Sequence, residues 1–198
     1  MKARRLFAVA VIVAAITALV STNAYASTGH YKLNKVKHAT AKFQSLRVAQ
    51  KAGYGLLVDK DGIACIDMAP MGAMGVHYVR GDLVGDGKID PFHPEAVVYE
   101  PVGNKMRLVA LEYVVFKADW DKNHKYKPSL FGRTFDETPA GNRYDLPAFY
   151  SLHAWIFKGN PAGTFAMWNP RVHCPGSGGH SGHTGHTGHT GHTGHTGH

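Results

Sequence analysis

Apolar positions recur along the chain first with helical and then with strand spacing. Over residues 40–54, Phe43, Leu46, Val48, Ala49 and Ala52 share one helical face, Thr40 stands where an N-cap belongs, and Gly53 and Gly55 end the run. This predicts a helix over 40–54. The short apolar runs 56–58 and 63–66 flank the turn sequence Asp59-Lys60-Asp61-Gly62 and read as strands. Longer strands are predicted over 75–79, 96–100, 107–116 and 149–157, and 107–116 is nearly all β-formers. Helical spacing is poor after residue 55. The pattern predicts an α+β fold: a single domain over 40–174, an antiparallel sheet with the N-terminal helix packed on it. Residues 117–146 read as a long loop, and long ordered loops tend to be functional.

Residues 68–75 are rich in Met and Gly, with Met68, Met71 and Met74 three apart. Thioethers suit Cu(I), and they equally fill gaps in a core.

The N-terminus reads as an address. Lys2, Arg4 and Arg5 precede about 15 uncharged residues, where a membrane span needs roughly 20. Ala24-Tyr25-Ala26 then supplies small residues where a signal peptidase reads. The expectation is a signal peptide over 1–26, cleaved between Ala26 and Ser27, with no membrane-spanning segment after cleavage and a secreted or periplasmic destination. Residues 27–39 are polar and read as a flexible lead-in.

Export gives meaning to the two cysteines. Cys65 and Cys174 are expected to pair in an oxidising compartment, closing a loop of about 110 residues. The chain-entropy argument gives such a loop roughly 4–5 kcal/mol. The other reading is two separate buried thiols.

Hydrophobic residues make up 44% and charged residues 18%, enough for a packed core. The formal charge of +8 falls to +5 when Lys2, Arg4 and Arg5 leave with the signal peptide. The remainder is spread out, which suits weak attraction to an anionic surface and excludes a nucleic-acid groove.

Several segments quoted together carry a resemblance. They are Met71-Gly72-Ala73-Met74-Gly75-Val76-His77-Tyr78-Val79, Pro94-Glu95-Ala96-Val97-Val98-Tyr99-Glu100-Pro101, Leu111-Glu112-Tyr113, Leu152-His153-Ala154-Trp155, Asn160-Pro161-Ala162-Gly163 and Trp168-Asn169-Pro170-Arg171-Val172-His173-Cys174. On these the chain resembles a family of secreted bacterial proteins with no assigned activity. The resemblance covers about residues 40–174. It implies export and one compact domain, and it implies no mechanism.

Each strand candidate carries one ligand-type residue in apolar company: His77, Glu100, Glu112 and His153. Alternation places Glu112 on one strand face with Ala110, Val114 and Phe116. A buried carboxylate must be paired, hydrogen-bonded, metal-bound or neutral. If the strands are neighbours, two imidazoles and two carboxylates converge, a set that suits Zn²⁺, or Fe or Mn where coordination positions stay open. The alternative is that the histidines satisfy each other or backbone groups and Glu112 pairs with Arg143 or Arg171. No HExxH, GxSxG, P-loop or dinucleotide fingerprint occurs. Residues 82–93 echo a calcium loop, but Val84 and His93 stand where two ligands are needed, which favours a plain Asp/Gly turn.

Residues 176–198 hold 9 Gly, 7 His, 5 Thr and 2 Ser and nothing else. Every third residue from 180 is histidine: His180, His183, His186, His189, His192, His195 and His198. This composition cannot bury a core, so the sequence predicts a disordered tail over 175–198. Glycine lets neighbouring imidazoles fold back onto one ion, and neutral imidazole binds Zn²⁺, Ni²⁺ and Cu²⁺. Below about pH 6 the tail protonates, releases metal and is drawn to anionic cell-surface polymers. A drifted repeat with incidental affinity has the same composition.

Three functions are compatible with these features. The first is a secreted, non-enzymatic protein that captures or buffers Zn, Ni or Cu ions through the tail. The alternative is an exported metalloenzyme using His77, Glu112 and His153. A second alternative is a cell-envelope module binding a polyanion or glycan through Trp120, Tyr126 and Trp168.

Overall fold

The computed structural model describes residues 32–175. The expected signal peptide over 1–26 and residues 176–198 of the expected tail both lie outside them.

The chain begins as helix. Residues 32–40 (α1) bury Val36 and Thr40, one turn apart, between exposed residues such as Lys37 and His38. From residue 32, helix therefore replaces the flexible lead-in expected over 27–39. Thr40 does not act as an N-cap: its hydroxyl donates back to the Val36 carbonyl at 2.7 Å, inside α1. The single helix expected over 40–54 is divided into a 3-10 turn (Ala41–Gln44) and a short helix α2 (Leu46–Lys51). Between them Ser45 takes extended backbone, and its carbonyl accepts the first N–H groups of α2, from Val48 at 2.9 Å and Ala49 at 3.2 Å.

The strands are β1 (Gly55–Leu56), β2 (Cys65–Met68), β3 (Gly72–Val79), β4 (Ala96–Val102), β5 (Lys105–Phe116), β6 (Ser129–Leu130), β7 (Arg133–Thr134), β8 (Asp136–Thr138) and β9 (Phe149–Ala154). Two short helices lie between them, α3 (Gly81–Val84) and α4 (Lys117–Asp121). The main sheet runs β1-β3-β4-β5-β9-β8, with β2 also paired to β3, and every pairing is antiparallel. The expected α+β fold is observed, with its antiparallel sheet, N-terminal helical layer and one disulfide. The stretch 117–146 is not one loop: it holds α4, the β6–β7 hairpin and β8, which pairs with the edge of β9. The last strand ends at Ala154, earlier than expected, because Phe157 and Lys158 turn their N–H groups to the Val109 carbonyl.

Alternation gives the sheet two faces. One carries Tyr78, Val97, Tyr99, Leu111, Tyr113 and Leu152 and packs under Val36, Phe43, Ala49 and Tyr54 of the N-terminal layer. Buried tyrosines tie the layers together. Tyr99 donates to the Phe43 carbonyl at 2.6 Å, Tyr54 to that of Pro94 at 2.7 Å and Tyr113 to that of Pro91 at 2.8 Å. The opposite face is covered near Val98 and Ala110 by Trp155 and Val172 of the C-terminal segment.

Cys65 and Cys174 form a disulfide, tying β2 to the end of the domain across 109 residues. Gly72 brings the same segment close. Its φ is +98°, and a Cβ there would meet the Asn169 carbonyl oxygen at 2.2 Å. The glycine permits the Ala73–Asn169 bridge, which sets residues 167–172 against β3. Among the described residues no helix is long and apolar enough to cross a membrane.

Candidate metal centre

Three of the four ligand-type residues meet on the less covered face of the sheet. In register, Glu112 of β5 faces His153 of β9 on one side and Ala96 of β4 on the other. His77 of β3 faces Val98 of β4, so it lies two strands and one diagonal step from Glu112. Two strand spacings are about 10 Å. The long His and Glu side chains close that gap above Ala96 and Ala110, whose small side chains are fully buried.

The resulting geometry is tight. His77 Nε2 lies 3.3 Å from Glu112 Oε2 and 3.3 Å from His153 Nε2, and His153 Nδ1 lies 3.6 Å from Glu112 Oε1. The His side chains are 3% exposed and that of Glu112 12%. The imidazoles meet edge to face, and His153 also stacks in parallel with Trp155. One donor atom from each residue lies within 4.8 Å of the others.

Burial sets the charge state. Desolvation lowers both imidazoles to about 4; the Glu112 charge opposes this at His77, and Asp136 opposes it at His153. Burial raises the Glu112 carboxyl, against the His77 charge and a hydrogen bond with Ser151. Both imidazoles are therefore uncharged at neutral pH, each with one N–H and one lone pair. His77 Nδ1 is buried with no hydrogen-bond partner. A proton on Nδ1 would leave a buried donor unsatisfied, so the metal-free site favours His77 with Nε2–H, shared between Glu112 and His153.

These residues fit a metal ion. Tetrahedral bonds of about 2.0–2.1 Å place donors roughly 3.3 Å apart, the separation His77 Nε2 keeps from both partners. Two imidazoles and one carboxylate form the ligand set of catalytic zinc and of non-heme iron sites, each with positions left open. The unpartnered His77 Nδ1 counts against very tight binding, since outer-shell partners are typically worth 10–100-fold in affinity.

A cavity of about 440 Å³ opens on this cluster, with His77, Glu112 and His153 among its lining residues beside Val114 and Ser151. Met68, Met74, Met167, Trp168, Tyr144 and Leu146 form part of its walls. The segment carrying Tyr144 and Leu146 is held by Asn142, whose amide donates to the Pro139 and Leu146 carbonyls and accepts from the Tyr144 and Leu146 N–H groups. It is pinned to the domain by Arg143, which pairs with buried Asp59 at 2.7 Å.

Other expectations resolve differently. Glu100 stands apart from the cluster: both its oxygens are 2.7 Å from Lys158 Nζ, and one accepts the His173 N–H at 3.3 Å. Arg143, a counter-charge considered for Glu112, is matched by Asp59. Met68 and Met74 line the cavity, whereas exposed Met71 does not. The calcium-like segment is a set of turns: Asp86 and Asp90 accept the Lys88 and Phe92 N–H groups, and Asp82 pairs with Arg80. Trp120 donates to the Tyr126 carbonyl and stacks on His124, while Trp168 lies on the cavity wall. Met167, Tyr144 and Ser151 belong to the cavity without having been singled out by sequence. No short-range pattern marks them, because distant segments bring them there.

Compared with known proteins, the chain matches no family model, no curated sequence and no solved structure.

Proposed function

We propose that this is an exported metal-binding protein whose folded domain holds one divalent transition-metal ion between His77, Glu112 and His153. At least one coordination position would face the cavity. The observation that carries this reading is the position of His77 Nε2, 3.3 Å from both Glu112 and His153. Two imidazoles and a carboxylate meet at the spacing of ligands around one ion, and a cation between them would take one donor atom from each. The donor set suits Zn²⁺, and also Fe or Mn with open positions. An ion held there would act as a Lewis acid on a small molecule in the cavity, and Ser151 would orient Glu112. This favours the metalloenzyme reading of the domain over a purely buffering one. Capture of Zn, Ni or Cu by the seven tail histidines is kept as a second part of the proposal, with the tail supplying ions to the domain. The Cys65–Cys174 disulfide supports an oxidising destination.

The test is metal analysis of the full chain with its seven tail histidines replaced by serine, purified without a metal column and equilibrated with zinc. One ion per chain is expected, lost on His77→Ala or His153→Ala while circular dichroism is unchanged. Equal metal content in the parent and both variants would overturn the proposal.

A further inference from the structure

We infer that the cavity above His77, Glu112 and His153 takes a small carboxylate with an apolar body, its carboxylate completing the coordination of the ion; this rests on the metal reading above. Charge decides the headgroup. A divalent ion coordinated by two neutral imidazoles and one carboxylate keeps one positive charge in a largely apolar cavity, and unpaired charge there is costly. A monoanion cancels it, whereas a dianion such as phosphate overshoots. Arg143, the guanidinium on the cavity wall, has its charge matched by Asp59 and so adds no unpaired positive charge to the cavity.

The walls decide the body. Val114, Phe116, Leu146, Phe149, Met74 and Trp168 present hydrocarbon, thioether and aromatic surface. Two polar side chains on the same walls are spent: Asn142 makes four hydrogen bonds within its own loop, and Ser151 is bonded to Glu112. A polyol or peptide would lose its hydration there and find few partners. The volume of about 440 Å³ lies within the usual range for small-molecule sites.

The experiment uses the full chain with tail histidines replaced by serine, loaded with Co²⁺, whose visible absorption reports its ligands. Octanoate, acetate and 1-octanol are the probes. Octanoate should shift the cobalt spectrum and bind at least about tenfold more tightly than acetate, since added methylenes become buried. The alcohol should leave the spectrum unchanged. One cobalt ion bound but unmoved by octanoate would overturn this inference and leave the metal site standing. Acetate binding as well as octanoate would overturn the apolar part. Cobalt content no higher than in the His77→Ala/His153→Ala variant would overturn the metal reading and this one with it.

Discussion

Glu112 and His153 stand directly opposite each other across β5 and β9, and the carboxylate of one lies 3.6 Å from Nδ1 of the other. Directly opposed side chains on one sheet face are held close by the register itself. The pair is thus built into the fold, and His77 closes on it from two strands away.

A ligand that binds only the folded state should stabilise it. Zinc at about 100 times its dissociation constant adds roughly 2.7 kcal/mol. With the tail histidines replaced, zinc should raise the melting temperature of the parent protein and leave that of Glu112→Gln unchanged. Calorimetry with and without zinc checks this, and equal shifts would argue against the site.

Glu95 offers a pH prediction separate from the metal. It is buried, its Oε2 accepts the Val114 N–H at 3.0 Å, and desolvation raises its carboxyl to about 8. An unfolded glutamate titrates near 4.3. Between those values the folded state binds more protons, so stability falls as pH rises. This contribution is complete below about pH 4.3 and is lost as pH passes about 8. Glu95→Gln, which stays neutral, should flatten the stability profile between pH 5 and 9 in urea titrations. Parallel profiles would refute the assignment.

The Glu100–Lys158 pair is predicted to be structural. Lys158→Met leaves a buried carboxylate without its cation, which typically costs about 3–5 kcal/mol. Adding Glu100→Gln should restore most of that loss. Neither change should alter the cobalt content of the domain, as metal analysis alongside denaturation would show.

The cavity wall depends on Asp59 and Arg143. Arg143→Met should speed amide exchange at Leu146, whose N–H is bonded to Asn142. The guanidinium holds the Asp59 carboxyl below its usual range, so the pair stabilises at neutral pH and is lost as pH falls through that lowered value. The variant should therefore show a shallower acid limb in its stability profile.

The sequence carried the sheet better than the helices. Residues 107–116 announced β5 through continuous β-formers, and alternation placed Glu112 with Val114 and Phe116, as the cavity lining shows. Helix α1 was hidden because only Val36 and Thr40 are buried in it, a stripe too narrow to read among charged neighbours. β8 was hidden because Asp136-Glu137-Thr138 has no apolar alternation and is recruited by the edge of β9. At the site, Glu100 shares the local sequence pattern of His77, Glu112 and His153, one ligand-type residue in apolar company. What separates them is register: Ala96, not Glu100, lies level with Glu112, and Lys158 reaches Glu100 from 58 residues away. Neither fact has a local signature.

Anomalous diffraction at the zinc edge from zinc-soaked crystals decides whether His77, Glu112 and His153 hold an ion. A single peak within about 2.0–2.2 Å of His77 Nε2, a His153 ring nitrogen and a Glu112 oxygen is predicted. Fully ordered His77, Glu112 and His153 side chains with no anomalous peak between them would contradict it.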